Sequence, residues 1–250
     1  MMLEVDILGC GSSLGVPVIG CKCLVCKSES IYNKRLRSSI IIKKAETKIL
    51  VDFGFDIKKQ LVIADIDNLD AAVLTHDHAD HVSGIDDLRV FSFINNGKAL
   101  DLFVLETIAP RILNKYDYLF NTNRLKMNTI KSFERLTIGG VVMQFFPQIH
   151  GSIYSLGIRV DDFAYSSDIS GISHDSEKYL YNLNSWVVDC IDYESNNNHS
   201  GLSRIIEWNK KYRPEKIYLT NMSHKIDYHK ISTELPDTIK PLYDGFKLVF

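Results

Sequence analysis

Apolar and polar residues alternate along the first segment of the chain, and this alternation predicts a β-strand over residues 3–8, before the turn-forming stretch GCGSS. Residues 38–43 and 48–51 are also rich in β-branched and aliphatic side chains, and the short polar stretch 45–47 between them predicts a turn. The chain is therefore predicted to begin as a sheet with a hairpin.

Short apolar runs alternate with helical spacing in the middle of the chain. The predicted strands are 71–74 and 102–105, and the predicted helices are 79–93 and 109–120, the second with Pro110 in its first turn. Residues 121–131 are predicted to form a mobile loop. Further along, strands are predicted at 141–146, 156–160, 163–165, 185–191 and 216–220, and helices at 202–211 and 227–235.

Neither a low-complexity linker nor a repeat of 20–50 residues divides the chain. We therefore expect one domain over residues 1–250, of the α/β class, with two sheets facing each other and helices outside.

Composition narrows the classes of partner. The formal net charge is −2 and the pI is about 6.4, so no general positive field is present to grip extended nucleic acid. No run of about 18 apolar residues predicts a membrane span, and acids near the N-terminus oppose a signal peptide. We expect a cytoplasmic protein. Three of the five cysteines are clustered, which favours metal ligation over disulfides in a reducing compartment.

The densest group of candidate metal ligands is THDHADH, residues 75–81. Three imidazoles and two carboxylates within six positions are costly to bury unpaired, but they suit divalent cations. On an extended loop after strand 71–74, His76 and His78 point to one side, while Asp80 and His81 turn away. The spacing therefore predicts two donor pairs that hold two neighbouring ions.

This HxHxDH motif after a short strand resembles the metallo-β-lactamase superfamily. LVDFG at 50–54, His150 after a strand, SSD ending at Asp168 and a strand ending at Thr220 follow in the order of that family. The resemblance implies an αββα sandwich of two mixed β-sheets flanked by helices. More closely, GCGSSLGVP, GCKCLVC, GIDDLR and LTNMSHKIDY are similar to the cyclic phosphodiesterase group of the carbon-phosphorus lyase pathway.

The resemblance implies a metal centre with two divalent ions, Zn or Mn. His76, His78 and His150 would hold the first ion and Asp80 and His81 the second, with Asp168 between them. Such a pair generates hydroxide near neutral pH and clamps phosphoryl oxygens. The predicted catalytic set is Asp80, Asp52 and His199. Asp52 would accept the distal N–H of a ligating imidazole, and His199, in the polar loop NNNHSG, would protonate the leaving oxygen.

The cysteine-rich stretch GCKCLVC needs a fourth donor. In the resembling phosphodiesterases the last strand is followed by LTHxxH, whose second histidine joins three cysteines around a structural zinc. His224 stands at that position, so Cys21, Cys23, Cys26 and His224 are expected to form a closed Cys3His site. Alternatively, His224 serves the active site and the cysteines bind something else.

The first histidine of that motif is replaced by Asn221. Three outcomes are open: the amide oxygen coordinates the second ion weakly and favours manganese over zinc, one ion alone binds tightly, or catalysis is lost. We expect oxygen coordination, because the other site residues are all present.

We therefore expect a metal-dependent hydrolase that acts on a small or cyclic phosphodiester. A thioester or lactone hydrolase and a tRNA-processing nuclease of the same fold are the enzymatic alternatives, although no basic arm for tRNA is visible. A relative that binds or handles a cofactor without catalysis is the alternative from another class. A homodimer is compatible with the resemblance, and no membrane partner is expected.

Overall fold

The computed structural model describes residues 2–250, which form two seven-stranded sheets. In chain order the strands are β1 (Leu3–Gly9), β2 (Ser39–Lys44), β3 (Thr47–Val51), β4 (Ala71–Leu74), β5 (Leu100–Leu105), β6 (Leu125–Ile130), β7 (Arg135–Ile138), β8 (Val141–His150), β9 (Ile153–Val160), β10 (Phe163–Ser166), β11 (Ser185–Asp189), β12 (Lys216–Thr220), β13 (Ile239–Pro241) and β14 (Lys247–Val249). The first sheet has the order β14-β1-β2-β3-β4-β5-β6, and the second has the order β13-β12-β11-β10-β9-β8-β7.

Helices flank both sheets. They are α1 (Leu24–Lys27), α2 (Ile57–Ile63), α3 (Ala79–Val82), α4 (Arg89–Ile94), α5 (Ala109–Lys115), α6 (Asp117–Asn121), α7 (His174–Glu177), α8 (Leu202–Tyr212) and α9 (Tyr228–Glu234). Both sheets mix parallel and antiparallel pairs, so the predicted fold class is confirmed. No helix described between residues 2 and 250 is long and apolar enough to cross a membrane.

Buried aliphatic and aromatic side chains from both sheets form the core. Ile40, Ile41 and Ile42 are consecutive in β2 and fully buried, so this strand is covered on both faces. Trp186 in β11 is the largest fully buried side chain, and its indole N–H donates to the hydroxyl of Ser166 at 2.9 Å. This bond satisfies the one polar atom of a large apolar side chain.

Parallel pairing brings the ends of several strands to common edges. In the first sheet β3 and β4 run parallel, and in the second sheet β10, β11 and β12 do. Neighbouring parallel strands end on the same side of a sheet, so the residues that follow them lie close together. The backbone N–H of Leu156 in β9 donates to the carbonyl of Thr75 at 3.0 Å and joins the two sheets beside the histidine motif.

Three predictions about local structure are wrong. The helix predicted over 79–93 is divided into α3, a 3-10 turn and α4, because Gly84 packs against the backbone of Phe53 and Gly54. The helix predicted over 109–120 is divided at Tyr116. The loop predicted over 121–131 contains the edge strand β6, whose polar side chains conceal its pairing with β5.

Gly54 makes the closest backbone approach to the histidine motif. A Cβ atom at this position would lie 1.7 Å from the carbonyl oxygen of Asp80. The loop after β3 and the start of α3 therefore touch without an intervening side chain.

Asp227 caps α9, and its replacement tests the stability of the C-terminal region. One carboxylate oxygen accepts from the backbone N–H of Lys230 at 2.9 Å and the other from the amide of Asn33 at 2.8 Å. Because Asp227→Ala removes both bonds, we expect a loss of about 1–2 kcal/mol in the free energy of unfolding, measured by urea denaturation. Asp237→Ala, at an exposed position, is the control and should change it by less than about 0.5 kcal/mol. Equal losses in both variants would contradict this role.

Candidate metal centre

The histidine motif follows β4 and lies against residues from the second sheet. Ligand atoms of His76, His78, His150 and Asp168 all lie within 4.8 Å of one another, and so do those of Asp80, His81 and Asp168. Asp168 belongs to both groups. The structure thus brings together six of the seven metal-ligand candidates that were named from the sequence. The seventh, Asn221, is described below.

Asp52 orients the imidazole of His81. The Nδ1–H of His81 donates to the Asp52 carboxylate at 2.7 Å, and the backbone and hydroxyl of Thr75 donate to the same carboxylate at 2.8 and 2.9 Å. The Nε2 atom of His81 is left 3.2 Å from Asp168 and 3.4 Å from Asp80. This fixed orientation aims the free nitrogen at the carboxylates, as expected for a ligand supported by an outer carboxylate.

The first donor set contains nitrogen atoms whose lone pairs are not satisfied by protein. The Nδ1–H of His150 donates to the carbonyl of Asn198 at 2.7 Å, and its Nε2 faces Nδ1 of His78 at 3.1 Å. Within residues 2–250, the buried Nε2 of His76 has no hydrogen-bond partner and lies 3.7 Å from Asp168. Converging imidazole nitrogens beside a carboxylate fit a divalent cation such as zinc or manganese.

Burial and neighbouring charges favour the deprotonated forms of His76, His150 and Asp168, which are the forms that bind a metal ion. Burial and the neighbouring charge of His81 hold the pKa of His76 well below its usual value, and burial also lowers the pKa of His150. Burial raises the pKa of Asp168, but the charge of His81 and its hydrogen bond outweigh that effect and lower it. For His81, burial is outweighed by Asp168 and Asp52, which raise its pKa. A cation at the second set therefore competes with a proton on His81.

The orientation of Asn221 differs from the one that coordination of the second ion through its amide oxygen would require. The side chain is buried, and its amide nitrogen donates to Asp168 at 2.9 Å and to Asp189 at 3.2 Å. Turning the amide would set its oxygen against two carboxylate oxygens, so the hydrogen bonds determine which atom faces them. Asn221 is thus a hydrogen-bond donor in this structure and presents no oxygen to the second donor set.

Asp189 is a buried carboxylate beside the donor sets that the sequence did not predict as part of the site. It is fully buried, and it accepts from the Nδ1–H of His199 at 2.8 Å and from the backbone N–H of Ile169 at 3.1 Å. Burial raises the pKa of Asp189 to about 6. Burial opposes a charge on His199, but the bond and charge of Asp189 outweigh it and raise the pKa of His199 to about 9. The signal in the sequence was an acid that ends the buried strand SWVVD, between the strands before Asp168 and Asn221.

Several of these polar residues have left-handed backbone conformations where their strands end. The φ angles are +62° at Asp52, +44° at Asp168 and +58° at Asn221. Asp and Asn adopt this region more readily than other residues with a side chain. The conformation turns the chain sharply, so that each polar side chain is directed back toward the site instead of along its strand.

The cysteine-rich loop forms a separate cluster. Ligand atoms of Cys21, Cys23, Cys26 and His224 lie within 4.8 Å of one another, and Nδ1 of His224 is 3.3 Å from the sulfur of Cys21. The backbone N–H of Cys26 and the imidazole of His224 lower the pKa of Cys23 to about 6, which favours the thiolate that binds metal. Cys10 and Cys190 lie elsewhere and are fully buried.

Arg35 anchors the segment that carries Asn221 and His224. Its buried guanidinium donates to the carbonyl of Ser223 at 3.0 Å and to that of Ile226 at 2.9 Å. The backbone N–H of Met222 donates to the carbonyl of Cys10 at 2.8 Å. Asn221 and His224 are thus held on one short segment that is anchored to the N-terminal loop.

Comparison with known proteins places this geometry among related folds. Residues 47–222 match the family described as "Beta-lactamase superfamily domain". A crystal structure of a new diphosphatase from the PhnP family is 30% identical, with a TM-score of 0.95, and the match covers 100% of this chain and 98% of that one.

An octanoyltransferase and a ribonuclease Z are among the relatives that match by sequence. An octanoyltransferase of Porphyromonas gingivalis is 29% identical over 252 residues, and the match covers 97% of this chain and 51% of the relative. A ribonuclease Z of Clostridium kluyveri is 28% identical over 190 residues, which cover 72% of this chain and 54% of the relative. The chain thus spans about half the length of each. The family match and the diphosphatase structure together show that the chain belongs to the beta-lactamase superfamily and has the metallo-β-lactamase fold.

Proposed function

We propose that the protein is a metal-dependent phosphodiesterase that acts on a small phosphodiester, linear or cyclic. The observation that carries the proposal is the pair of donor sets that share Asp168, with the ring of His199 4.9 Å from that of His150. Two related proteins, a diphosphatase and a ribonuclease, have names that agree with chemistry at phosphorus. The net charge of −2 favours a small substrate over extended nucleic acid.

The proposed roles follow the two donor sets. The first set, His76, His78, His150 and Asp168, would hold one divalent ion, and Asp80, His81 and Asp168 would hold the other. When bound, such ions supply hydroxide near neutral pH and neutralise phosphoryl oxygens. Asp52 holds the His81 ring so that Nε2 remains the ligating atom. Asp52 therefore supports a ligand of the second ion and does not contact the substrate in this proposal.

His199 is the proposed proton donor to the leaving oxygen. Asp189 accepts from its Nδ1–H, so Nε2–H remains for donation, and the raised pKa keeps the ring protonated at neutral pH. An alkoxide is a poor leaving group, and protonation by a positioned acid accelerates its departure. The imidazole rings of His199 and His150 have centroids 4.9 Å apart, so the acid lies beside the first donor set.

Thioester hydrolysis is a second candidate. The relative whose match covers 97% of this chain is named an octanoyltransferase, a name that refers to an acyl group. A hydroxide at this centre could attack a thioester carbonyl as well as a phosphorus atom. Thiolates leave without protonation, so this reaction would not need His199, and the dependence on that residue separates the two candidates.

We also propose that Cys21, Cys23, Cys26 and His224 hold a structural zinc. Three thiolates and one imidazole form the closed donor set typical of such sites. With the catalytic ions, the fully loaded chain would contain three metal ions.

Turnover assays test the proposed function. The protein, loaded with manganese or zinc, should hydrolyse bis(p-nitrophenyl) phosphate and 2′,3′-cyclic nucleotides, and chelation should abolish both activities. Octanoyl thioesters serve as the comparison substrates. Thioester turnover without phosphodiester turnover would replace the first candidate by the second, and no turnover with either class would contradict both.

Replacement of His199 tests the proton donor. We expect His199→Gln to lower kcat for 2′,3′-cyclic nucleotides by about 100- to 10,000-fold, because the alkoxide then leaves unprotonated. Turnover of bis(p-nitrophenyl) phosphate should fall much less, because p-nitrophenolate is a good leaving group. His174→Gln, at an exposed residue of α7, is the control. Equal losses on both substrates would argue against acid catalysis by His199.

Replacement of Cys23 tests the structural zinc. Cys23→Ser should lower the zinc content by one ion per chain relative to the wild type, because a hydroxyl is a poor zinc ligand. Metal content is measured by mass spectrometry after purification without added metal. Cys190→Ala, which changes a buried cysteine outside the cluster, should retain the zinc. The same zinc content in all three proteins would rule out this site.

A further inference from the structure

The two donor sets of the metal centre are unequal. The first has three imidazoles and the carboxylate of Asp168, which is enough for a complete tetrahedral site. The second has Asp80, His81 and the same shared carboxylate. Hard divalent ions such as manganese prefer six oxygen or nitrogen ligands. The second set therefore leaves several coordination positions of its ion without a protein donor.

Asn221 does not fill this deficit. Both hydrogens of its amide nitrogen are directed at carboxylates, one of Asp168 and one of Asp189. Rotating the amide to offer its oxygen would remove one hydrogen-bond donor from each of two buried carboxylates and would set the amide oxygen against their oxygens, which is costly. The two hydrogen bonds that Asn221 donates therefore keep its side chain out of the coordination sphere of the second ion.

Asp80 is the member of the second donor set that solvent reaches. The side chain of Asp80 is 15% exposed, whereas those of His81 and Asp168 are 1% and 3% exposed. The side chain of His199, which is 19% exposed, lies beside the first donor set, with its ring 4.9 Å from that of His150. An anion that enters beside Asp80 meets open positions for oxygen ligands of the second ion.

We propose that an oxyanion, the phosphoryl group of the substrate, completes the second site, so that the second ion binds tightly only together with phosphate. This inference rests on the proposed function as a phosphoryl hydrolase and extends it to the order of assembly. The first ion binds to protein donors alone. Because binding is reciprocal, phosphate should also bind more tightly when the second ion is present.

Manganese titration tests the proposal without measuring activity. Protein that retains its zinc is freed of catalytic metal and titrated calorimetrically with Mn²⁺, with and without inorganic phosphate. Without phosphate we expect one tight Mn²⁺ per chain and a second that binds at least about 10-fold more weakly. Phosphate should tighten the second by about 10-fold or more, and an electron paramagnetic resonance spectrum of coupled manganese should appear only then. Two equally tight ions without phosphate would overturn the proposal.

Two variants at one position separate coordination from hydrogen bonding. Asn221→His should give a tight second Mn²⁺ without phosphate, because an imidazole adds the missing ligand. Asn221→Gly is the matched control: glycine tolerates the φ of +58° and removes the amide without adding a ligand, so its second ion should remain weak. Tightening by glycine as strong as that by histidine would overturn the proposal, as would no tightening by histidine in a folded, zinc-loaded variant.

Turnover of bis(p-nitrophenyl) phosphate, measured on the same preparations, distinguishes failure of the oxyanion site from failure of the proposed function. Phosphate-dependent binding of the second ion without turnover would support the oxyanion site and contradict the proposed function. Turnover with two ions that bind equally well without phosphate would support the function and contradict the oxyanion site.

Discussion

A single buried carboxylate, that of Asp168, connects every part of the metal centre. It contributes to both donor sets, lies 3.2 Å from Nε2 of His81 and accepts from the amide of Asn221. Burying a charge of this kind is unfavourable unless cations or donors surround it. The imidazoles, the amide and the bound metal can each supply part of that compensation. The composition of the site follows from this requirement, since each group near Asp168 either donates a hydrogen bond or supports a cation.

The backbone brings these polar groups together through the same local conformation at several strand ends. Strands from both sheets end at the centre, and a left-handed residue turns the chain at Asp52, Asp168 and Asn221. Sparsely populated backbone conformations of this kind persist where the surrounding structure stabilises them. The neighbouring loop is fixed by Arg35 and by the cysteine cluster, which hold the segment from Asn221 to His224. The second site therefore depends on contacts well outside its own donor set.

Local sequence patterns predicted most strands and the layered architecture, because buried strands and amphipathic helices have recognisable periodicities. The grouping of the histidines with Asp168 also followed from the motif and the order of the family. Asp189 was missed because a lone acid after a buried strand has meaning only when neighbouring strands are known to be parallel. The amide orientation of Asn221 depends on the same tertiary pairing. Strand β6 was missed because an edge strand needs few apolar residues, and the division of the helix over 79–93 depends on a distant backbone contact.

That distant contact involves Gly54, which meets the carbonyl of Asp80 directly, and Gly84, which packs against Gly54 in turn. Even a single methyl group at position 54 would displace the aspartate of the second donor set. The side chain allowed at position 54 is thus limited by the backbone of a residue 26 positions away along the chain. A larger residue there would have to displace the start of α3, so the missing side chain of this glycine helps to determine where the carboxylate of Asp80 lies.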